Sequence, residues 1–219
     1  MTGALRFAAG GQALDVPVAA LVVAGWTGRD AAGVQHHIDE LAAVGVPGPS
    51  TVPLFYRVAR GLLTQDGAVE VLGPETSGEA EPLLLRHGGR DWLGLASDHT
   101  DRGLERVSVA ASKQACAKVC AATLWPLDEV AGHLDLLELR SWIDDGAALY
   151  QDGTLGQIRP LAELAAAAPL AEGTAMLCGT VPAIGGIRPS ASFRAELRDP
   201  VLGRSITLDY RVTVLPVIS

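Results

Sequence analysis

Three short stretches of this chain carry side chains capable of chemistry. The first is Glu79-Ala-Glu81. In an extended strand residues two apart share a face, so the two carboxylates project side by side. Like charges that close raise each other's pKa unless a cation lies between them. The second is Ser97-Asp-His-Thr-Asp-Arg102, where Asp98 can complete a set of three carboxylates. An all-oxygen set selects a hard divalent ion such as Mg²⁺ or Mn²⁺ over zinc. His99 follows Asp98 directly and points the other way in an extended segment, so it supports the site rather than ligating there. The third is Gln35-His-His-Ile-Asp-Glu40. On a helix His37 and Glu40 stand at i, i+3, and a carboxylate beside an imidazole orients the ring and raises its basicity, as a general base acting on water requires. His36 and Glu40, at i, i+4, make an equally good pair. Each stretch also has a plainer reading: a solvated edge, a polar loop, a surface ion pair.

The elements that must position these residues are mostly strands. Residues 16–25 form an apolar run that ends in a turn, and 30–44 show helical spacing at Val34, Ile38, Leu41 and Ala42. Gly45, Pro47, Gly48 and Pro49 stop that helix. An extended stretch, 52–57, follows. Strands are then predicted at 68–72, 80–85, 91–96 and 104–109, with Gly73-Pro74 and His87-Gly-Gly89 as turns. Residues 112–121 fit helix or loop. A strand at 134–142, a short helix at 161–168, a strand at 175–178 and a Gly/Pro-rich loop at 179–189 precede two final strands, 192–197 and 204–215. The expected fold class is mainly β with short helices (α+β). One domain spans 1–219, with a strand-helix and lid segment to about residue 50 and a β-rich core beyond it.

Composition narrows the function. With 48% hydrophobic residues, 25 glycines and 13 prolines, the chain suits a β-rich globule with a real core. A formal charge of −8 and the lack of a basic stripe disfavour nucleic acid. The two lysines, Lys113 and Lys118, lie in one short segment; all other fixed positive side chains are arginines. Three cysteines, an odd number, fit buried small hydrophobes in a reducing compartment. The apolar run near residue 20 is too short to cross a bilayer, which makes no membrane association and a cytoplasmic location the simplest expectation.

Taken in order, the clusters resemble the fumarylacetoacetate hydrolase family, in the short form found in fumarylpyruvate and acylpyruvate hydrolases. Trp26, His37-Ile-Asp-Glu40, Pro49, Pro53 and Phe55-Tyr-Arg57 are similar to its N-terminal block, with Arg57 where Lys is usual. Glu79-Ala-Glu81 resembles its metal-binding E-x-E, Asp98 to Arg102 its later acidic block, and Lys113 its following Lys. Gln151-Asp-Gly153 and Gly179-Thr-Val-Pro-Ala-Ile-Gly185 resemble its last two blocks, with Val181 inserted between Thr180 and Pro182. The gap between Glu81 and Asp98 is shorter than the family's. The strings Ser-Asp-His-Thr-Asp-Arg and Pro-Ala-Ile-Gly-Gly-Ile-Arg-Pro bring it nearest to a branch described as a domain of unknown function (DUF2848-like).

The resemblance implies a mixed β-sheet roll or barrel and a homodimer. It implies Mg²⁺ or Mn²⁺ on Glu79, Glu81 and Asp98, stabilising an enolate as a C–C bond of a 2-oxo or 1,3-dicarbonyl acid is hydrolysed. In that scheme His37, Glu40 and Lys113 are catalytic, while Arg102, Gln151 and Thr180 bind substrate. The same metal site would serve a 2-oxo acid decarboxylase, hydratase or isomerase. A binding protein that kept the fold and lost activity is the alternative of another class.

Overall fold

The computed structural model describes residues 4–43 and 48–218; His37, Glu40, Leu41 and Ala43 are described by backbone alone. The chain folds as a large curled mixed sheet backed by a second sheet. The large sheet runs, in spatial order, Gln12–Val16, Leu5–Ala9, Thr123–Pro126, Arg90–Asp98, Ala80–His87, Thr174–Leu177, Ala20–Gly25 and Leu54–Val58. Lys118–Cys120 joins the end of Arg90–Asp98 and pairs in turn with Leu63–Thr64. The second sheet runs Ala148–Thr154, Glu138–Ile143, Ser192–Asp199, Arg204–Leu215 and Ala68–Leu72. Mainly β with short helices is therefore the observed class.

Ala80–His87 is buried on both faces over its first six residues. Its residues Ala80 and Leu84 enter the core between the two sheets, with Leu95, Phe193, Leu208 and Tyr210. Leu83 and Leu85 enter a second core on the other face, with Phe7, Val23 and Leu124. A strand buried on both sides reads as a continuous apolar run rather than as alternation, which is why Pro82-Leu-Leu-Leu85 stands in the sequence as it does. Glu81 shares the face of Leu83 and Leu85, so a carboxylate sits at the end of an apolar ladder.

Two expectations need correction. The strand predicted at 104–109 is instead the short helix Arg102–Glu105, a turn, and the start of helix Val109–Gln114. Capping decides this: Asp101 accepts the Leu104 N–H at 2.9 Å, and Ser108 accepts the Ala111 N–H at 3.2 Å. The strand predicted at 134–142 splits into a 3₁₀ turn, Leu134–Leu136, and the strand Glu138–Ile143. Residues 112–121, open between helix and loop, are the end of a helix followed by the strand Lys118–Cys120. The first hairpin, Leu5–Ala9 with Gln12–Val16, has no counterpart in the sequence reading. Its turn is Gly10-Gly11, both at positive φ (56° and 80°), where glycine is favoured.

Candidate active site

Ala80–His87 and Arg90–Asp98 pair antiparallel with Ala80 opposite Ser97 and Glu81 opposite Ala96. The Asp98 N–H continues the ladder to the Glu79 carbonyl at 3.0 Å. Period-2 alternation then puts Glu79, Glu81 and Asp98 on one face. On the other flank of the same strand, Lys118 pairs directly across from Asp98. Lys113 arrives from helix Val109–Gln114. The two lysines of the chain thus converge on one carboxylate: Lys113 Nζ hydrogen-bonds Asp98 Oδ2, and Lys118 Nζ stands 3.0 Å from Oδ1 while donating to the His99 carbonyl. Lys118 and Asp98 are wholly buried, Lys113 nearly so.

The electrostatics follow from this crowding. Burial alone would raise the Asp98 pKa, but Lys113 and Lys118 outweigh it and hold the carboxyl well below the usual range. For Glu81, burial and then the Asp98 charge push the pKa well up, against the Lys113 charge and the Gly179 N–H that Glu81 Oε2 accepts at 2.7 Å. Burial lowers the Lys118 pKa. For Lys113, burial also pulls down, but Asp98 and Glu81 prevail and raise it. Its ammonium also lies 5.8 Å from the Tyr56 ring centre, and Tyr56 in turn accepts the Trp26 indole N–H at 3.3 Å.

Arg102 is committed on every side. It donates from Nε to Ser77 Oγ (2.7 Å), from Nη1 to Glu105 Oε2 (3.0 Å) and from Nη2 to Glu79 Oε2 (2.9 Å). Gln151 departs from the substrate-contacting role that the resemblance gives it. Its buried amide oxygen accepts from the Ala80 N–H (2.8 Å) and Ser141 (2.6 Å), while its nitrogen donates to Thr180 Oγ1 (2.6 Å) and the Val181 carbonyl (2.7 Å). All four hydrogen-bonding positions of the amide are filled. Gln151 therefore fixes the strand beside Glu79 and Glu81. Thr180, half-buried, donates to the Ala80 carbonyl at 2.7 Å and so borders the same carboxylates.

Gly179 shows why that loop needs glycine. Its φ is +95°, and a Cβ there would lie 1.6 Å from Thr27 Oγ1. The Gly25–Gly28 segment is thereby seated against the residue that hydrogen-bonds Glu81. Helix Ala31–Ala43 begins just beyond it and carries residues 37 and 40; the side chains of His37 and Glu40 lie outside the described residues. His99 turns away from the carboxylates, as alternation requires. Its Nδ1 meets Tyr210 Oη and its Nε2 meets Thr76 Oγ1, both at 2.8 Å. Burial, with Lys118 and Arg102 nearby, holds its pKa down to about 4, so the ring is neutral.

Lys118 is the residue that sequence reasoning passed over. The available signal was its type: lysine is almost never fully buried without a partner, and both lysines of the chain follow Asp98 within 20 residues.

The donors suit a hard cation in kind. They are three carboxylates, and the buried Asp98 Oδ1 is faced only by the Lys118 ammonium, 3.0 Å away. Their spacing is that of a compensated ion cluster. Among the described residues no three His, Cys, Asp or Glu side chains are placed closely enough to hold a metal ion as they stand. Glu79 and Asp98 would have to exchange part of Arg102 and Lys113 for the ion.

The model of one family, described as a protein of unknown function (DUF2848), matches residues 24–210. The chain belongs to this family. No curated protein matches the chain. Among solved structures, this DUF2848 chain is similar to fumarylpyruvate hydrolase from Pseudomonas aeruginosa in complex with Mn²⁺ and pyruvate. The identity is 16%, 97% of each chain is covered and the TM-score is 0.66. It is similar also to a 2-keto-3-deoxy-D-arabinonate dehydratase complexed with magnesium and 2,5-dioxopentanoate (16%, 90% and 73% covered, TM-score 0.61). A third is 4-oxalocrotonate decarboxylase from Pseudomonas putida G7 complexed with calcium and acetate (17%, 88% and 76% covered, TM-score 0.54). The shared fold is the fumarylacetoacetate hydrolase-like one; at these identities it does not choose a reaction. No helix among the described residues is long and apolar enough to cross a membrane.

Proposed function

We propose that this DUF2848 protein is a divalent-cation-dependent enzyme that hydrolyses a C–C bond in a 2-oxo or 1,3-dicarbonyl acid of acylpyruvate type. The observation that carries this reading is that Glu79, Glu81 and Asp98 share one face of the sheet, with Lys113 bonded to Asp98. Mg²⁺ or Mn²⁺ held by these carboxylates would supply a Lewis acid for a chelated 2-oxo acid. The hydrolase, dehydratase and decarboxylase with the same fold, each bound to a divalent ion, lend support.

The chain's own residues would do the rest. His37, oriented by Glu40, takes a proton from water, and the hydroxide adds to the carbonyl beyond the scissile bond. When that bond breaks, the electron pair stays on the carbon next to the 2-oxo group, and that carbon takes back the proton held by His37, leaving pyruvate and a carboxylic acid. Lys113 faces the negative charge that develops on the neighbouring oxygen. Arg102, whose planar fork suits a carboxylate, releases Glu79 to take the substrate's acid group. Thr180 borders the substrate, and Gln151 keeps Thr180 in place. A homodimer in the cytoplasm is the proposed setting.

The test is to incubate the purified chain with acylpyruvates and 2-oxo diacids in Mn²⁺ or Mg²⁺, following pyruvate and CO₂. Pyruvate release abolished by EDTA, and lost in His37→Ala, is the expected result. CO₂ release with His37→Ala fully active would replace hydrolysis by decarboxylation. Mn²⁺ binding without turnover of any acid would leave a binding protein, and light scattering reports the oligomeric state.

A further inference from the structure

Lys118 has no part in the scheme above, yet it is the most deeply buried cation of the cluster. Register places it there: it is the cross-strand partner of Asp98, with its ammonium 3.0 Å from Oδ1 and a hydrogen bond to the His99 carbonyl. Neither end of this arrangement reaches solvent, so Lys118 cannot swing out as a rim lysine would. The cluster then holds four carboxylates, Glu79, Glu81, Asp98 and Glu105, against three cations, Arg102, Lys113 and Lys118. With every carboxylate ionised, as they would be around a divalent ion, its net charge is a single negative. Without Lys118 it would be doubly negative, which a divalent ion would neutralise. With Lys118 in place, the same ion leaves the site positive.

We propose that Lys118 is a built-in counter-cation of Asp98 that makes the site bind a divalent ion weakly alone and tightly only together with a chelating anion. This rests on the assignment of the ion to Glu79, Glu81 and Asp98. Two sites whose occupants attract one another across a buried cluster are thermodynamically linked, and each tightens the other by the same factor. The ligand class follows from the charge: an acid that brings two negative charges to the ion, as a 2-oxo diacid or an enolised 1,3-dicarbonyl acid does, is preferred to a monoanion.

Calorimetric titration of the full chain with Mn²⁺, alone and with oxalate or acetate present, tests this without turnover. In the unsubstituted protein oxalate tightens Mn²⁺ by roughly tenfold or more, corrected for chelation in solution, and acetate does not. Lys118→Met binds Mn²⁺ alone about tenfold more tightly and loses most of the oxalate effect. A variant within twofold of the parent, with the oxalate effect intact, overturns the proposal. If near-ultraviolet dichroism shows Lys118→Met unfolded, Lys118→Gln replaces it. Should both fail to fold, the parent protein decides, and an oxalate effect below about threefold overturns the proposal. Glu81→Gln separates the two levels: Mn²⁺ binding unchanged in that variant removes the ion from these carboxylates altogether, whereas binding lost there with Lys118→Met unaltered refutes the role of Lys118 alone.

Discussion

On one side of the Arg90–Asp98 strand, Asp98 meets two ammonium groups and lies among further carboxylates. On the other side, Ser97 and, just past the strand end, His99 meet a phenol and a hydroxyl. Asp98, Ser97 and His99 are all fully buried, and the two sides are separated by the thickness of one backbone. The neutral side is complete: Tyr210 Oη joins Ser97 at 2.9 Å and His99 at 2.8 Å, and Thr76 takes the other ring nitrogen. On the charged side Asp98 Oδ1 is faced only by the Lys118 ammonium, 3.0 Å away. Burying charge is costly unless it is paired, and burying neutral polar groups costs little once their hydrogen bonds are made. A fold concerned with stability alone would repeat the neutral arrangement on both faces. Keeping ions on one face only fits the ligand-binding role proposed for that face.

The contrast can be broken most forcefully at its centre. Asp98→Ala leaves two buried ammonium groups with one partner fewer, and a loss of about 3–5 kcal/mol in urea unfolding is expected. Turnover in that variant falls by about a thousandfold or more, measured as pyruvate release, since the missing group is both ligand and anchor. A variant that folds and turns over normally would deny the charged face any role.

The next effect lies on the neutral side and depends on pH. His99 is held at about 4 in the fold against 6.5 when free, so the unfolded chain takes up a proton first as the pH drops. The His99 contribution is complete above about pH 6.5, is lost between about 6.5 and 4, and levels off below. By pH 5 the loss is on the order of 2 kcal/mol, read from urea midpoints, and His99→Gln flattens that slope. A His99→Gln variant that loses as much stability as the parent between pH 7 and pH 5 would show that His99 is not held neutral.

Tyr210→Phe removes the hydroxyl shared by Ser97 and His99 and is expected to cost about 1–3 kcal/mol in the same assay. Its kcat stays within about threefold of the parent's, because the phenol faces away from the carboxylates. Were kcat to collapse as in Asp98→Ala, the separation of the two faces would fail. The smallest effect is the control at the surface. Arg90 pairs with Asp128 at 2.7 Å where both are exposed and lies over the Trp92 ring at 5.2 Å, and Arg90→Ala should move the melting temperature by no more than about 4 °C.

Much of this layout could be read along the chain. Glu79 and Glu81 share a face, and Asp98 and His99 oppose one another, because alternation is a property of extended backbone whatever surrounds it. The short helices near residues 102–114 escaped that logic. Leu104, Val107 and Val109 fall at nearly alternate positions, and two side-chain caps, Asp101 and Ser108, outweigh them. Those helices deliver Arg102 and Lys113, so misreading them also hid how the site is assembled.

The sequence by itself determined the chemical inventory: an E-x-E pair, one aspartate at a strand end, and two lysines in a chain otherwise charged by arginine. It also determined which neighbours face the same way. Only the tertiary structure decided that both lysines meet Asp98, that Arg102 is held by Glu79, and that Gln151 has its whole amide filled by protein partners. The physical reason is range. Facing depends on two dihedral angles repeated along a segment, whereas convergence depends on the register of strands distant in sequence and on helices packed across them. No local pattern carries that register, and the charge of this site is set by it.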